Sequence, residues 1–332
     1  MGYIGPGPAD QISEITDISE TAQAFLLKGR KNFLINTLLR ISQRGDFSSS
    51  TALTFGDTGT FKLDRWKIEI QSSSTLQNLA TNQPGSLADS KSLRFTNTSA
   101  TTDPLSFQQP IENFADLKGK QVVISGYIKT NNANARLGIR DGVANPFSSP
   151  APIVDGSTWN FVTVTTTLSS SITQGIFKVG ILGPDGASST SMGAGDFFEM
   201  TGCQVEVAPT PTDLDYVSAA LELADCQRYY WRIERTAGDE NRSICIGRVN
   251  SSGVGAGVLN FPVPMRVAPS MSASSNAVAT DDSANSIITS PTFTHIGNSS
   301  TRMQTVSGFI IGRAVLMQFV GANDFIEADA EL

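Results

Sequence analysis

Hydrophobic and polar residues alternate with period two over short stretches of the chain. In Arg65-Trp66-Lys67-Ile68-Glu69-Ile70, the residues Trp66, Ile68 and Ile70 share one face, the pattern of a half-buried strand. Leu93 and Phe95 share a face in the same way. Gln121 to Lys129 (QVVISGYIK) is apolar on both phases and predicts a buried strand; Asn160 to Leu168 (NFVTVTTTL) is rich in β-branched residues. Ile176 to Leu182 and Asp196 to Val207 are two further apolar runs. Turn formers punctuate them at Asn131 to Asn134, Gly183-Pro184-Asp185-Gly186 and Ser188 to Gly195. Many short strands with Gly, Ser and Asn turns predict a mainly β chain built on a jelly-roll sandwich.

The pattern changes at both ends. Met1 to Asp10 holds Gly2, Gly5, Pro6, Gly7 and Pro8, which exclude a helix and leave little to bury. An extended peptide that orders on a partner fits this segment. From Ser13 to Lys28, Ile15, Ile18, Ala22 and Phe25 recur at helical spacing. That predicts a short amphipathic helix, either lying on its own domain or serving as an oligomer stem. Pro209-Thr210-Pro211-Thr212 marks a linker, and Ser218 starts a short helix with Leu221 and Ala224 on one side. Cys226 to Arg232 then reads as a strand, with Tyr229, Trp231 and Ile233 alternating against Tyr230, Arg232 and Glu234. Ser243 to Val249, Asn260 to Val267, Ile287 to Thr294 and Ser307 to Val320 read as further strands, and Gly253 to Gly257 as a hairpin connection. The expected organisation is an N-terminal segment over residues 1–31, the jelly roll over 32–210, and a smaller C-terminal β-sandwich over 211–332.

Composition narrows the function. Of 332 residues, 39% are hydrophobic and 17% charged, so the core is thin and spread over sheets. The formal charge of −7 comes without a Lys/Arg-rich run, which argues against nucleic-acid binding. No run of about 18 apolar residues predicts membrane insertion. MGYIGPGPAD lacks the basic and apolar regions of a secretory signal, so synthesis in the cytoplasm is expected. Cys203, Cys226 and Cys245 are odd in number and widely spaced, which argues against a disulfide framework and for small buried hydrophobes. With no CxxC and His295 the only histidine, no metal and no cofactor are expected.

The densest acids are Asp196, Glu199, Glu206, Asp213, Asp215, Glu222 and Asp225. Asp196 and Glu199 differ by three and point to opposite faces of a strand. The acids around the linker and helix read as solvated charge. His295 precedes a turn and no G-x-S-x-G elbow occurs, so catalysis is not expected. Binding is harder to exclude, because sugar sites need aromatic platforms beside polar side chains. Trp66, Tyr127, Trp159, Tyr230 and Trp231 could each be core residues; Tyr127 and Trp159 are the candidate glycan contacts.

Several landmarks occur in a specific order: Asn32-Phe33-Leu34-Ile35-Asn36, Gln43-Arg44-Gly45, Asp64-Arg65-Trp66, Leu117-Lys118-Gly119-Lys120, Trp159, and Gln204-Val205-Glu206 before Pro209 and Pro211. This series resembles the jelly-roll, carbohydrate-binding-module-like domain of phage and prophage tail proteins. Cys226-Gln227-Arg228-Tyr229-Tyr230, Phe261 to Pro269 and the terminal Ala328 to Leu332 resemble the β head that accompanies it. The resemblance covers residues 32 to 332. It departs at Asn36-Thr37-Leu38, where relatives show Asn-Gly and an aromatic, which alters a turn. The Tyr-Ile-Gly-Pro opening resembles the N-terminal peptides by which podovirus-type fibres attach, which makes Tyr3, Ile4, Pro6 and Pro8 the candidate virion anchor.

The resemblance implies a structural virion protein, a bacteriophage tail fibre or spike subunit, made in the host cytoplasm and resident in the virion. It implies a homotrimer whose N-terminus meets a tail adaptor, nozzle or capsid protein and whose distal domain contacts host glycan. A capsid fibre or decoration protein, a glycan depolymerase and a cellular carbohydrate-binding module are the alternatives.

Overall fold

The structure, a computed structural model, describes residues 30–70, 73–81, 83–87, 89–188, 190–236, 238, 242–274, 277–280, 285–288, 291–319 and 321–332. The anchor candidates Tyr3, Ile4, Pro6 and Pro8 and the helix expected over Ser13 to Lys28 lie outside the described residues.

The protein is mainly β. Its first unit holds β1 (Thr51–Leu53), β2 (Phe61–Leu63), β3 (Trp66–Glu69), β4 (Ser74–Leu79), β5 (Ser92–Asn97) and β6 (Leu105–Pro110), then β7 (Gln121–Thr130), β8 (Ala135–Arg140), β9 (Asn160–Thr167), β10 (Ile176–Ile181) and β11 (Phe197–Glu206). They form a six-stranded sheet, β1-β4-β5-β11-β7-β9, facing a five-stranded sheet, β2-β3-β6-β10-β8. Every pairing in both is antiparallel.

The core between the sheets follows from the alternation. Phe95 and Phe198 on the larger sheet meet Phe107 on the smaller one edge-on, with ring centroids 5.2 and 5.4 Å away. Trp66, Ile68 and Ile70 are buried on their shared face, and Trp66 Nε1 donates to the Asn36 carbonyl at 2.8 Å. At the Asn36 turn the chain adopts φ 56° at Asn36 and 57° at Leu39. Asn36 tolerates that conformation because its amide is satisfied locally, donating to the Ile41 and Asp64 carbonyls at 2.8 and 3.0 Å.

The second unit opens with α1 (Ala219–Gln227), capped by the Ser218 hydroxyl, which accepts from Leu221 N–H. Its strands are β12 (Tyr230–Glu234), β13 (Arg242–Val249), β14 (Val254–Asn260), β15 (Ser270–Ala273) and β16 (Ala277–Thr280), then β17 (Asn285–Ile288), β18 (Thr292–Thr294), β19 (Ser300–Ser307), β20 (Ala314–Phe319) and β21 (Phe325–Asp329). A three-stranded sheet, β12-β21-β15, and a seven-stranded sheet, β17-β16-β20-β13-β14-β19-β18, enclose a core that includes Trp231, Phe261, Met303, Met317 and Ile326.

Several expectations for this unit need correction. Gly253 to Gly257 is no hairpin connection: the turn is Asn250–Gly253, and Val254 onward is strand. Gly257 belongs there because a Cβ would sit 2.8 Å from Cys245 Sγ. Phe261 to Val267 is not strand; Pro262 and Pro264 have no N–H to give a ladder. Ser307 to Val320 is broken at 308–313, where Gly308 and Gly312 take positive φ. Ile287 to Thr294 divides between β17 and β18.

Of the acids near the linker, Asp213 is exposed as expected, whereas Asp215, Glu222 and Asp225 are partnered. Glu222 is 1% exposed and accepts from Arg40 Nη2 at 2.9 Å, while Asp225 pairs with Arg30. Accordingly α1 buries Glu222 and Cys226 and leaves Leu221 exposed. The strand expected from Cys226 begins only at Tyr230, because Cys226 and Gln227 end α1 and Arg228 and Tyr229 form a turn; both tyrosines are buried, each covering an arginine of the first unit. Arg65 Cζ lies 3.7 Å from the Tyr229 centroid, and Arg44 Cζ lies 3.7 Å from that of Tyr230. Arg44 also pairs with Asp329 and Glu331, and Arg65 with Glu331. Tyr229 Oη donates to Glu112. Four arginines, Arg30, Arg40, Arg44 and Arg65, thus meet carboxylates or aromatic rings of the second unit.

Candidate functional site: an aromatic cleft on the outer sheet

Strand β11 explains where the site sits. All its residues are buried, although Glu199, Thr201, Gln204 and Glu206 are polar and face away from the core. Polar groups out of water need partners, so this outer face must be covered. A bulge between Thr201 and Gln204 re-aims the strand there. It is occupied by Gly202 at φ 59°, where a Cβ would stand 2.5 Å from Leu87.

The cover is the inter-unit linker. Gln204 Nε2 donates to Glu206 at 2.9 Å, and Glu206 accepts from Thr212 N and Oγ1 at 2.9 and 2.7 Å. Gln204 Oε1 accepts from Asp215 N at 2.8 Å. The Asp215 carboxylate in turn accepts from the N–H groups of Lys31 and Asn32 at 2.9 and 3.2 Å. Beyond it, Tyr216 Oη lies 3.2 Å from Arg40 Nη1. The linker is therefore a fixed wall.

Between this wall and the sheet lies a cleft of about 490 Å³. Its floor is the pair Tyr127 and Phe161, brought opposite each other by the β7–β9 register. Their rings have centroids 5.0 Å apart and planes at 49°. Phe161 is 49% exposed and Tyr216, across the cleft, 62%. Ser86, Ser125, Thr212 and Asp213 supply polar groups, with Ser86 Oγ 3.3 Å from Tyr127 Oη. Aromatic faces beside hydroxyl and carboxylate groups suit a ligand with one apolar and one polar aspect.

Of the candidate contacts, Tyr127 lines the cleft. Trp159 does not line it; the residue is half-buried, with Lys129 Nζ 4.5 Å from its ring centroid. Lys129 also pairs with Glu199 at 3.0 Å, and Arg94 lies 3.9 Å from the same carboxylate. Trp66, Tyr230 and Trp231 are core or junction residues. Phe161 and Tyr216 were not among the sequence candidates. Phe161 did leave a signal: it shares the outward phase of β9 with Thr163 and Thr165.

Of the acids weighed for catalysis, Asp213 is exposed in the cleft wall and the others have structural duties. Asp196 accepts from Asn132 Nδ2 at 2.7 Å and Gly193 N at 2.8 Å, and Glu199, Glu206, Asp215, Glu222 and Asp225 hold the contacts given above. His295 is exposed at the end of β18. Burial pushes the Cys203 and Cys226 thiols well up, and raises Cys245 to about 11. Among the described residues no cluster of His, Cys, Asp and Glu could hold a metal ion, and no helix is long and apolar enough to cross a membrane.

No protein-family model matches the chain, and no curated protein does. Solved structures match it at low identity and low TM-score. The CBM22-1 xylan-binding domain of Paenibacillus barcinonensis Xyn10C is 15% identical over 50% of this chain and 99% of that domain, at a TM-score of 0.28. TmCBM61 in complex with β-1,4-galactotriose is 12% identical over 54% of this chain and 99% of that one, at 0.25. A triple jelly-roll structure from the turret of an archaeal virus is 13% identical over 72% of this chain and 60% of that one, at 0.18.

Proposed function

We propose that the chain is a non-catalytic structural subunit of a phage particle, a tail fibre or spike, that contacts host-surface glycan through the Tyr127–Phe161 cleft. The observation that carries the contact is the half-exposed Phe161 ring beside Tyr127, faced by a wall of Thr212, Asp213 and Tyr216. Pyranose C–H faces stack on such rings while their hydroxyls need nearby donors and acceptors. The structural duties of the acids other than Asp213 favour binding over cleavage. The virion assignment rests on the ordered landmarks of the sequence, and the junction of the two units explains their company. Gln43-Arg44, Asp64-Arg65, the Tyr229–Tyr230 pair and the terminal Asp329 to Glu331 all meet there.

In this reading residues 1–31, with Tyr3, Ile4, Pro6 and Pro8, attach the subunit to a tail adaptor, nozzle or capsid protein, and three copies assemble. The outer face of the seven-stranded sheet offers a seam, with Ile246 73% and Val258 57% exposed. Purified protein is expected to sediment as a trimer and to be retarded by host surface polysaccharide in native gels, with no new reducing ends. Phe161→Ala is expected to abolish the retardation at unchanged melting temperature. Reducing ends released by the wild type and lost in an Asp or Glu variant of correct fold would overturn the non-catalytic assignment. Deleting residues 1–10 is expected to leave the subunit folded and absent from particles.

A further inference from the structure

We infer that the cleft selects neutral glycans and rejects those bearing uronate, sialate or phosphate groups, an inference that rests on the glycan-contact reading above. Binding an anionic sugar needs a cation or a nest of free N–H groups at the site. Asp213 is the one described lining residue that is charged at neutral pH, and its charge is negative.

The cations beside the cleft are engaged by protein groups, two of them on its own wall. Lys31 Nζ donates to Thr212 Oγ1 at 2.6 Å and to the Asp213 carbonyl. The Arg40 guanidinium donates to Glu222 at 2.9 Å and to the Val217 carbonyl at 2.6 Å. Lys129 is 3.0 Å from Glu199.

Gln204, which also lines the cleft, has both ends of its amide committed to Glu206 and Asp215. What remains for a ligand is a set of hydroxyls on Ser86, Ser125 and Tyr127, one carboxylate, and the aromatic faces. A carboxylate accepts from vicinal sugar hydroxyls and repels a sugar carboxylate at the same distance. The chain's net charge of −7 adds to that repulsion. The cleft volume, about 490 Å³, falls within the range of roughly 300–1,000 Å³ usual for small-ligand sites.

The full chain should be probed on an array of neutral and acidic bacterial surface polysaccharides, beside Phe161→Ala, Asp213→Asn and Asp213→Lys. Wild-type signal is expected on neutral glycans only, and is expected to be lost in Phe161→Ala. Asp213→Asn is expected to weaken the neutral signal severalfold. Asp213→Lys is expected to gain signal on acidic glycans. Thermal melts confirm that each variant is folded. Phe161-dependent binding of the wild type to acidic glycans would overturn the neutral selectivity while supporting the cleft as the contact site. The absence of Phe161-dependent binding to either class would sink the glycan-contact reading, and the selectivity with it.

Discussion

The guanidinium of Arg65 sits over the ring of Tyr229, its central carbon 3.7 Å from the ring centroid. Both residues are buried, and they come from different units. Arg65 sits in a tight turn at φ 69°, which aims its side chain out of the first unit. Its Nη2 donates to the Pro110 carbonyl at 2.7 Å and Nη1 pairs with Glu331. Cation–π contact with the ring, charge pairing and a carbonyl acceptor together offset the desolvation of a guanidinium.

Removing Glu331 strips the buried Arg65 of its carboxylate partner, while Arg44 keeps Asp329. Glu331→Ala is expected to destabilise the protein by about 3–5 kcal/mol, the usual cost of stranding a buried charge. Urea unfolding checks this. Replacing both members, as in Arg65→Met with Glu331→Leu, is expected to cost much less.

Trp231 packs edge-on to Phe261, with centroids 5.6 Å apart, in the core of the second unit. Trp231→Ala is expected to cost about 3–5 kcal/mol, read as a lowered melting temperature. Polysaccharide retardation is expected to survive at temperatures where the variant is folded, since Trp231 is remote from the cleft.

Two Asx-type turns contribute to the acid limb of stability. Asp155 is held below the usual carboxylate range by hydrogen bonds from the Thr158 hydroxyl and from Ser157 and Thr158 N–H. Asp185 is held low by the Ser188 hydroxyl and by Ala187 and Ser188 N–H. A depressed folded value contributes stability above the unfolded value, near 3.8 for both, and that stability is lost as pH falls toward the folded value. Burial acts oppositely on Asp64 and Glu222, raising both. Their contribution is present at low pH and is lost as pH rises through the folded values. Replacing Asp155 and Asp185 together by Asn is expected to lower the melting temperature at pH 7 and to flatten its fall below pH 3.8.

The thiols report packing directly. Cys203 and Cys226 are buried and Cys245 is partly covered, all with raised pKa values. A thiolate-seeking reagent at pH 8 is expected to label the native protein slowly and only at Cys245. Denaturant is expected to expose all three cysteines.

The sheets of the first unit were legible because one face of each strand meets the core and period-two alternation records it. Trp66, Ile68 and Ile70 show this, and β7, β9, β10 and β11 fall where the pattern put them. The cleft was less legible. Tyr127 and Phe161 are neighbours through a cross-strand register that joins residues far apart in sequence. Its wall comes from a proline-bearing stretch that reads as a spacer. The same limit hid the junction: Arg40, Arg44 and Arg65 look like surface arginines until Glu222, Glu331 and the two tyrosines are placed on them. In the second unit, glycines at 253–257 suggested a turn, whereas Gly257 lets two strands pass close together.

The junction also governs how the protein answers a push. Its bonds are anchored on α1, β12 and the end of β21 on one side, and on the segment from Arg40 to Arg65 plus Glu112 on the other. A hinge needs an axis about which the units can swing while few bonds break, and contacts spread over separate elements leave no such axis. The linker that would be the hinge is itself hydrogen-bonded along β11 and forms the cleft wall. Arg40, which holds Glu222 of α1, also bonds Tyr216 and Val217 of that wall, so the side chains that tie the two units together also fix the shape of the cleft.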